Sequence, residues 1–229
     1  MPNGLRQYVK ESAQTALDER TEYSLFGDIY VYIKDPLTTP INIGRVIKQV
    51  EETIPAFLAQ GVESIFIGQF EELTSREVDA VFDNGTMYLT NDQQSEEDMF
   101  DDIVHEFAHS IEEWAGMEIY GDSTLKYEFL AKREILFKQL SQLGYKNLYL
   151  RDFLDTEYSK KFDFYLYKSV GYDKLDIITV GLFPTPYSAT SIREYFAIGF
   201  EEYLYGDNRQ LKEISPVLYG KIEQLINFV

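Results

Sequence analysis

The chain has 229 residues, with 21 Lys+Arg against 39 Asp+Glu, two His, no Cys and a formal charge of -18. At 45% hydrophobic and 15% aromatic it can bury a core of its own, which excludes global disorder. Without cysteine there is no disulfide framework, thiolate metal site or Cys nucleophile, and so acidic a chain is a poor nucleic-acid binder, which needs clustered Lys and Arg. The plainest use of the acidity is a solvated surface; a basic partner or substrate is the sharper one.

The opening Met1-Pro2-Asn3-Gly4-Leu5-Arg6 has no apolar signal segment, so the expected compartment is the cytoplasm, with non-classical release or export left open. Residues 5–20 suit a helix, and no apolar run reaches the roughly 20 residues of a membrane span. Asp28–Ile33 reads as a strand, followed by Pro36 and Pro40 in a loop. Asn42 through Gln60 carries apolar residues at helical spacing and stops at Gly61. Val62–Gly68 reads as a second strand, and Asp83-Asn84-Gly85 as the turn of a hairpin over residues 78–89. The next helix starts in the polar run Asp92–Glu97 and passes Trp114 to end near Gly116. Thr124–Leu143 reads as a helix stopped by Gly144, residues 145–183 resist assignment, and Ser191–Tyr205 and Ile214–Phe228 read as helices. Strands around a helix followed by a helical half give an α+β class. With no repeat or linker, residues 1–229 are expected to form a single domain: a sheet-containing part to about residue 117 and a mainly helical part from about 118.

Both histidines fall in His105-Glu106-Phe107-Ala108-His109. Two His four residues apart with Glu second arise by chance about once in a thousand placements. On a helix the imidazoles stand one turn apart, able to grip a single ion, with Glu106 turned aside where it can serve a metal-bound water. Phe100, Ile103, Val104, Phe107, Ile111 and Trp114 form an apolar stripe that would anchor the helix. Surface histidines on an acidic helix are the ordinary alternative, and a third ligand decides between them. Glu128 lies 19 residues after His109, as in thermolysin-like and aminopeptidase-like enzymes, and Glu194 lies further on; spacing alone slightly favours Glu128.

The run from His105 through Ser110-Ile111-Glu112-Glu113-Trp114-Ala115-Gly116 resembles the active-site helix of the anthrax lethal factor family of metallopeptidases, which includes the smaller Pro-Pro endopeptidases. Tyr187, seven residues before Glu194-Tyr195-Phe196-Ala197, is similar to that family's second signature. The resemblance spans about residues 85–140 and 185–205, with some forty more residues between the signatures than the family has. It implies a zincin-like fold with a small twisted sheet, a Zn2+ cofactor held by His105, His109 and Glu194, a catalytic Glu106 and a catalytic Tyr187. It implies a zinc-dependent endopeptidase acting on a protein or peptide substrate, and a toxin-related setting. Thr86–Thr90 takes the place of the family's substrate-binding edge strand. Ile198 stands where lethal factor has a second acidic residue, a charge that Glu201 can supply from the same helix face. Asp101, Asp102 and Glu112 fall near the His face and read first as solvated carboxylates. A thermolysin-like or aminopeptidase-like use of Glu128, a zinc hydrolase of non-peptide substrates, and a non-catalytic toxin-associated module are the competing readings. The sequence leaves the natural substrate and the oligomeric state open.

Overall fold

The computed structural model describes residues 23–227, so the helix expected over 5–20 lies outside it. β1 (Tyr23–Leu25) and β2 (Ile29–Ile33) pair antiparallel, and β3 (Ser64–Gly68) runs parallel to β2. β4 (Ala80–Asp83) and β5 (Thr86–Thr90) form the hairpin, and the sheet order is β1-β2-β3-β5-β4. Alternation makes the sheet one-sided: Ile29, Val31, Ile65, Ile67, Met87 and Leu89 are buried, while Tyr30 and Tyr32 of the other face are exposed. The turn residues Asn84 and Gly85 have φ of 47° and 82°, the left-handed pair that a two-residue hairpin turn requires.

Two expectations fail here. The helix expected over Asn42–Gln60 is α1 (Ile43–Thr53), and residues Ala56–Gly61 form a separate 3-10 turn. Pro55 is the reason, since it lacks an N–H and its ring clashes with a helical carbonyl four residues back. The strand Thr86–Thr90 is no edge either, being paired with β3 on one side and β4 on the other. Among the described residues the sheet has two edge strands, β1 and, on the hairpin side, β4. Asp83 faces Thr86 across the turn, Val81 faces Tyr88, and Asp79 accepts from Thr90 N at 2.7 Å. In that alternation the main-chain groups of Ala80 and Phe82 point away from β5, toward the open side.

After the short α2 (Glu71–Arg76) and the hairpin comes α3 (Glu96–Tyr120). Ser95 caps it by accepting from Asp98 N at 3.1 Å, and Glu96, Glu97 and Asp98 complement the dipole of its first turn. It runs beyond Gly116, its expected end, because Ala115 and Ile119 continue the buried stripe. Trp114, expected in that stripe, is 39% exposed and lies beside Gly61, where a Cβ would come within 3.2 Å of its ring. α4 (Thr124–Gln142) follows, and the unassigned stretch 145–183 becomes α5 (Leu150–Leu154), α6 (Lys160–Phe164), a π turn over Tyr165–Val170, and α7 (Tyr172–Thr179). A 3-10 turn at Tyr187–Ala189 leads into α8 (Ile192–Leu204), then α9 (Asn208–Ile214) and α10 (Pro216–Ile226). Gly199 lets α8 meet α10, leaving no room for a Cβ beside Leu218.

Buried residues of the sheet and of the helical half belong to one apolar cluster. The architecture is α+β, a small mixed five-stranded sheet with a mostly helical remainder. No helix among the described residues is long and apolar enough to cross a membrane.

Candidate metal centre

α3 buries Val104, Phe107, Ala108 and Ile111 and so turns His105 and His109 toward α8. Ser191 fixes the start of α8 by accepting from Glu194 N at 3.1 Å, which places Glu194 in the first helical turn, opposite the two imidazoles. His105 Nε2 lies 3.1 Å from Glu194 Oε2, and His109 Nε2 lies 3.8 Å from Oε1. One ligand atom from each of the three residues falls within 4.8 Å of the others.

The other ring nitrogens are tethered. His105 Nδ1 meets Glu201 Oε1 at 2.5 Å, and His109 Nδ1 meets Glu112 Oε2 at 2.7 Å. Glu112 also accepts from Arg193 Nε at 3.0 Å and from the Tyr120 hydroxyl. A carboxylate on each Nδ1–H fixes the tautomer and aims both Nε2 lone pairs at one point. Glu112 is therefore no solvated carboxylate; its side chain is only 6% exposed. Asp101 and Asp102 stay off the imidazoles. Asp102 accepts from Gln93 Nε2 at 2.8 Å, and burial pushes it up to about 7.

No family model, curated protein or solved structure matches the chain.

The donor set suits a divalent cation. Two imidazoles and a carboxylate are the usual ligands of a catalytic zinc with an open position. Burial alone would strip a proton from His105, yet Glu194 and Glu201 outweigh it and hold the imidazole well above the ordinary histidine value. Four carboxylates, Glu106, Glu112, Glu194 and Glu201, thus converge, and Arg193 meets one of them, Glu112, an arrangement that favours positive charge at the centre.

Glu106 is buried, and its Oε2 accepts from Phe82 N on the open edge at 2.6 Å. The cluster opens into a cleft of about 800 Å³ between β4 and the start of α8. Tyr187 lines that cleft, and burial, reinforced by the charge of Glu194, raises its hydroxyl's pKa, so it remains a proton donor at neutral pH. Tyr158 and Lys160, from the stretch that resisted assignment, also line it, and Lys160 Nζ reaches Glu77 at 3.6 Å.

Glu128, the ligand that spacing favoured, sits elsewhere. Its carboxylate accepts from Val217 N at 2.8 Å and Leu218 N at 3.1 Å, capping α10, and from the Tyr195 hydroxyl at 2.9 Å. The motif grouped His105, Glu106 and His109, the resemblance alone added Tyr187 and Glu194, and Glu201 was one of two carboxylates left open; all six line one cleft. Sequence reasoning missed Arg193, Tyr158 and the Phe82 N–H, the last because a main-chain donor carries no residue signature.

Proposed function

We propose that the chain is a zinc-dependent endopeptidase of the lethal factor type with a zincin-like fold, hydrolysing peptide bonds of a protein substrate. One observation carries this reading: His105 and His109 turn both Nε2 atoms to Glu194 of a separate helix, and Glu106 and Tyr187 share the cleft. The resemblance of the two signatures supports the same assignment. Zinc bound by His105, His109 and Glu194 would supply Lewis-acid chemistry toward water and the scissile carbonyl.

The chain's own groups cover the remaining steps. Phe82 N–H holds one oxygen of Glu106, which leaves the other to take the proton of the attacking water and to return it to the leaving amine. The Tyr187 hydroxyl donates to the oxyanion that develops at the carbonyl, a contact whose loss costs about 3–4 kcal/mol in comparable sites. An extended peptide can add to β4 through the outward main-chain groups of Ala80 and the Phe82 carbonyl, which favours internal bonds of extended chains.

The test combines metal content by mass spectrometry with the cleavage of a peptide library by the purified protein. Zinc near one equivalent, cleavage abolished by chelation and restored by zinc, and a Glu106→Gln variant that keeps zinc but loses nearly all turnover are expected. A protein that takes up no zinc, or a Glu106→Gln variant that cleaves normally, defeats the reading.

A further inference from the structure

Arg133, on α4, is 1% exposed and sends its four hydrogen bonds to main-chain carbonyls. Nη1 donates to Ala189 O at 2.5 Å and Thr190 O at 3.2 Å, and Nη2 donates to Asp152 O at 2.6 Å and Asp155 O at 3.4 Å. The guanidinium carbon stands 4.1 Å from the ring centroid of Phe162 and 5.2 Å from that of Phe129. A charge so enclosed is costly to desolvate, and well-packed apolar residues stabilise a core as well or better. What apolar packing cannot do is tie two chain ends at a fixed separation, and the planar fork of an arginine does that.

The two ends both lead to the cleft. Ala189 closes the turn that carries Tyr187, and Thr190 bonds Tyr187 O through both N, at 2.9 Å, and Oγ1, at 2.8 Å. The next residue, Ser191, caps α8 ahead of Glu194. Asp152, within α5, and Asp155, just past its end, lie shortly before Tyr158, whose hydroxyl donates to Asp163 at 2.9 Å. Ile192 N donates to Thr156 O at 3.0 Å, joining the segments once more.

We propose that Arg133 is a positioning residue for the cleft: one buried fork holds both segment ends, and so sets the distance of Tyr187, and with it Tyr158, from the His105–His109–Glu194 cluster. The catalytic half of this proposal rests on the peptidase reading. In Arg133→Lys the charge survives, but a point donor cannot hold both carbonyl pairs in one geometry. Arg133→Gln, a shorter planar donor, replaces it if the lysine variant does not fold.

Zinc-reconstituted wild type, Arg133→Lys, Tyr187→Phe and the double variant are compared on one quenched fluorogenic peptide that the wild type cleaves. Misplacing a reacting group by about 1 Å costs about 100-fold, so kcat should fall about 10- to 100-fold in Arg133→Lys while KM and zinc affinity stay within about threefold. If Arg133 acts through Tyr187, the double variant is no slower than Tyr187→Phe by more than about twofold. Losses that multiply in the double variant, or a wild-type kcat in Arg133→Lys, overturn the proposal. A second readout is free of turnover. In protein labelled with 3-fluorotyrosine, the resonance lost in Tyr187→Phe should shift or broaden in Arg133→Lys, while that of Tyr30, on the far face of the sheet, stays in place. An unmoved Tyr187 resonance in folded Arg133→Lys overturns the positioning role even where no peptide is cleaved; a wild type that cleaves nothing with zinc bound defeats the peptidase reading instead.

Discussion

Glu201→Ala should weaken zinc binding about 100-fold and Glu201→Gln about 10-fold. The Glu201 carboxylate lies 2.5 Å from His105 Nδ1, with the two side chains 18% and 19% exposed, so the bond is charge-assisted and largely out of water. Such a bond is worth about 1.5–3 kcal/mol, and at about 1.4 kcal/mol per decade that becomes roughly 10- to 100-fold in a dissociation constant. The same range covers losses of carboxylates behind metal-bound histidines elsewhere. Glutamine keeps an acceptor for Nδ1–H and loses only the charge, so it belongs at the lower end. The assay is competition for zinc against a chelator of known affinity at one fixed pH, where proton competition is equal for all variants. Glu202→Gln, on the neighbouring residue that accepts from Asp207 N at 2.9 Å, is the control and should leave affinity unchanged. A Glu201→Ala protein that binds zinc within about twofold of wild type would refute the reasoning.

Glu128→Ala strips the cap from α10 and should cost about 2–4 kcal/mol in urea unfolding with zinc affinity intact; lost zinc in a folded variant would return Glu128 to the ligand set. Lys132, whose ammonium donates to Leu182 O, Ile214 O and Ser215 Oγ, is lowered by burial from 10.5 to about 8, with Glu128 pulling the other way. Between those values the unfolded chain binds more protons, so this residue's contribution to stability rises with pH; Lys132→Met should flatten the profile between about pH 8 and 10.5. Glu72, Glu77, Asp79, Asp83 and Asp101 line the cleft against Arg76, Lys160 and Arg193, so library cleavage should favour Lys or Arg within a few residues of the scissile bond. That preference should fade from 0.05 to 0.5 M salt as the Debye length shrinks from roughly 14 to 4 Å; salt-indifferent rates would leave the acidity as surface solvation.

The parts of the fold that were legible in the sequence are those written in local chemistry. Asn84-Gly85 announced its turn, Ser95 and Ser191 stood at helix starts, and β2 showed itself by its β-branched and aromatic residues. Pro55 was an equally local signal, outweighed by the apolar spacing around it. What stayed hidden was pairing at a distance. Whether β4 or β5 is the edge depends on where β3 inserts, which no residue in the hairpin encodes. Glu112 reads as one more acid on an acidic helix until Arg193 and His109 close around it from two elements. Residues 145–183 resisted assignment because short helices and a π turn have too few residues to show a period, and part of what fixes them, the Arg133 bonds to Asp152 O and Asp155 O, comes from another helix.

Loops usually tolerate added or deleted residues better than any other part of a chain. The two-residue turn at Asn84-Gly85 should be an exception, although neither of its residues lines the cleft. Lengthening it by a single residue while β5 stays put would slide β4 by one position, reversing which of its main-chain groups look outward. Phe82 N–H would then turn toward β5 and release Glu106, and the side chains of the strand would exchange faces. Homologous chains of the same activity should therefore hold this turn at constant length while its residues vary among those that accept positive φ. Insertions should accumulate instead between residues 160 and 183, past the segment that Arg133 holds and before Tyr187, where the chain is built from separate short pieces.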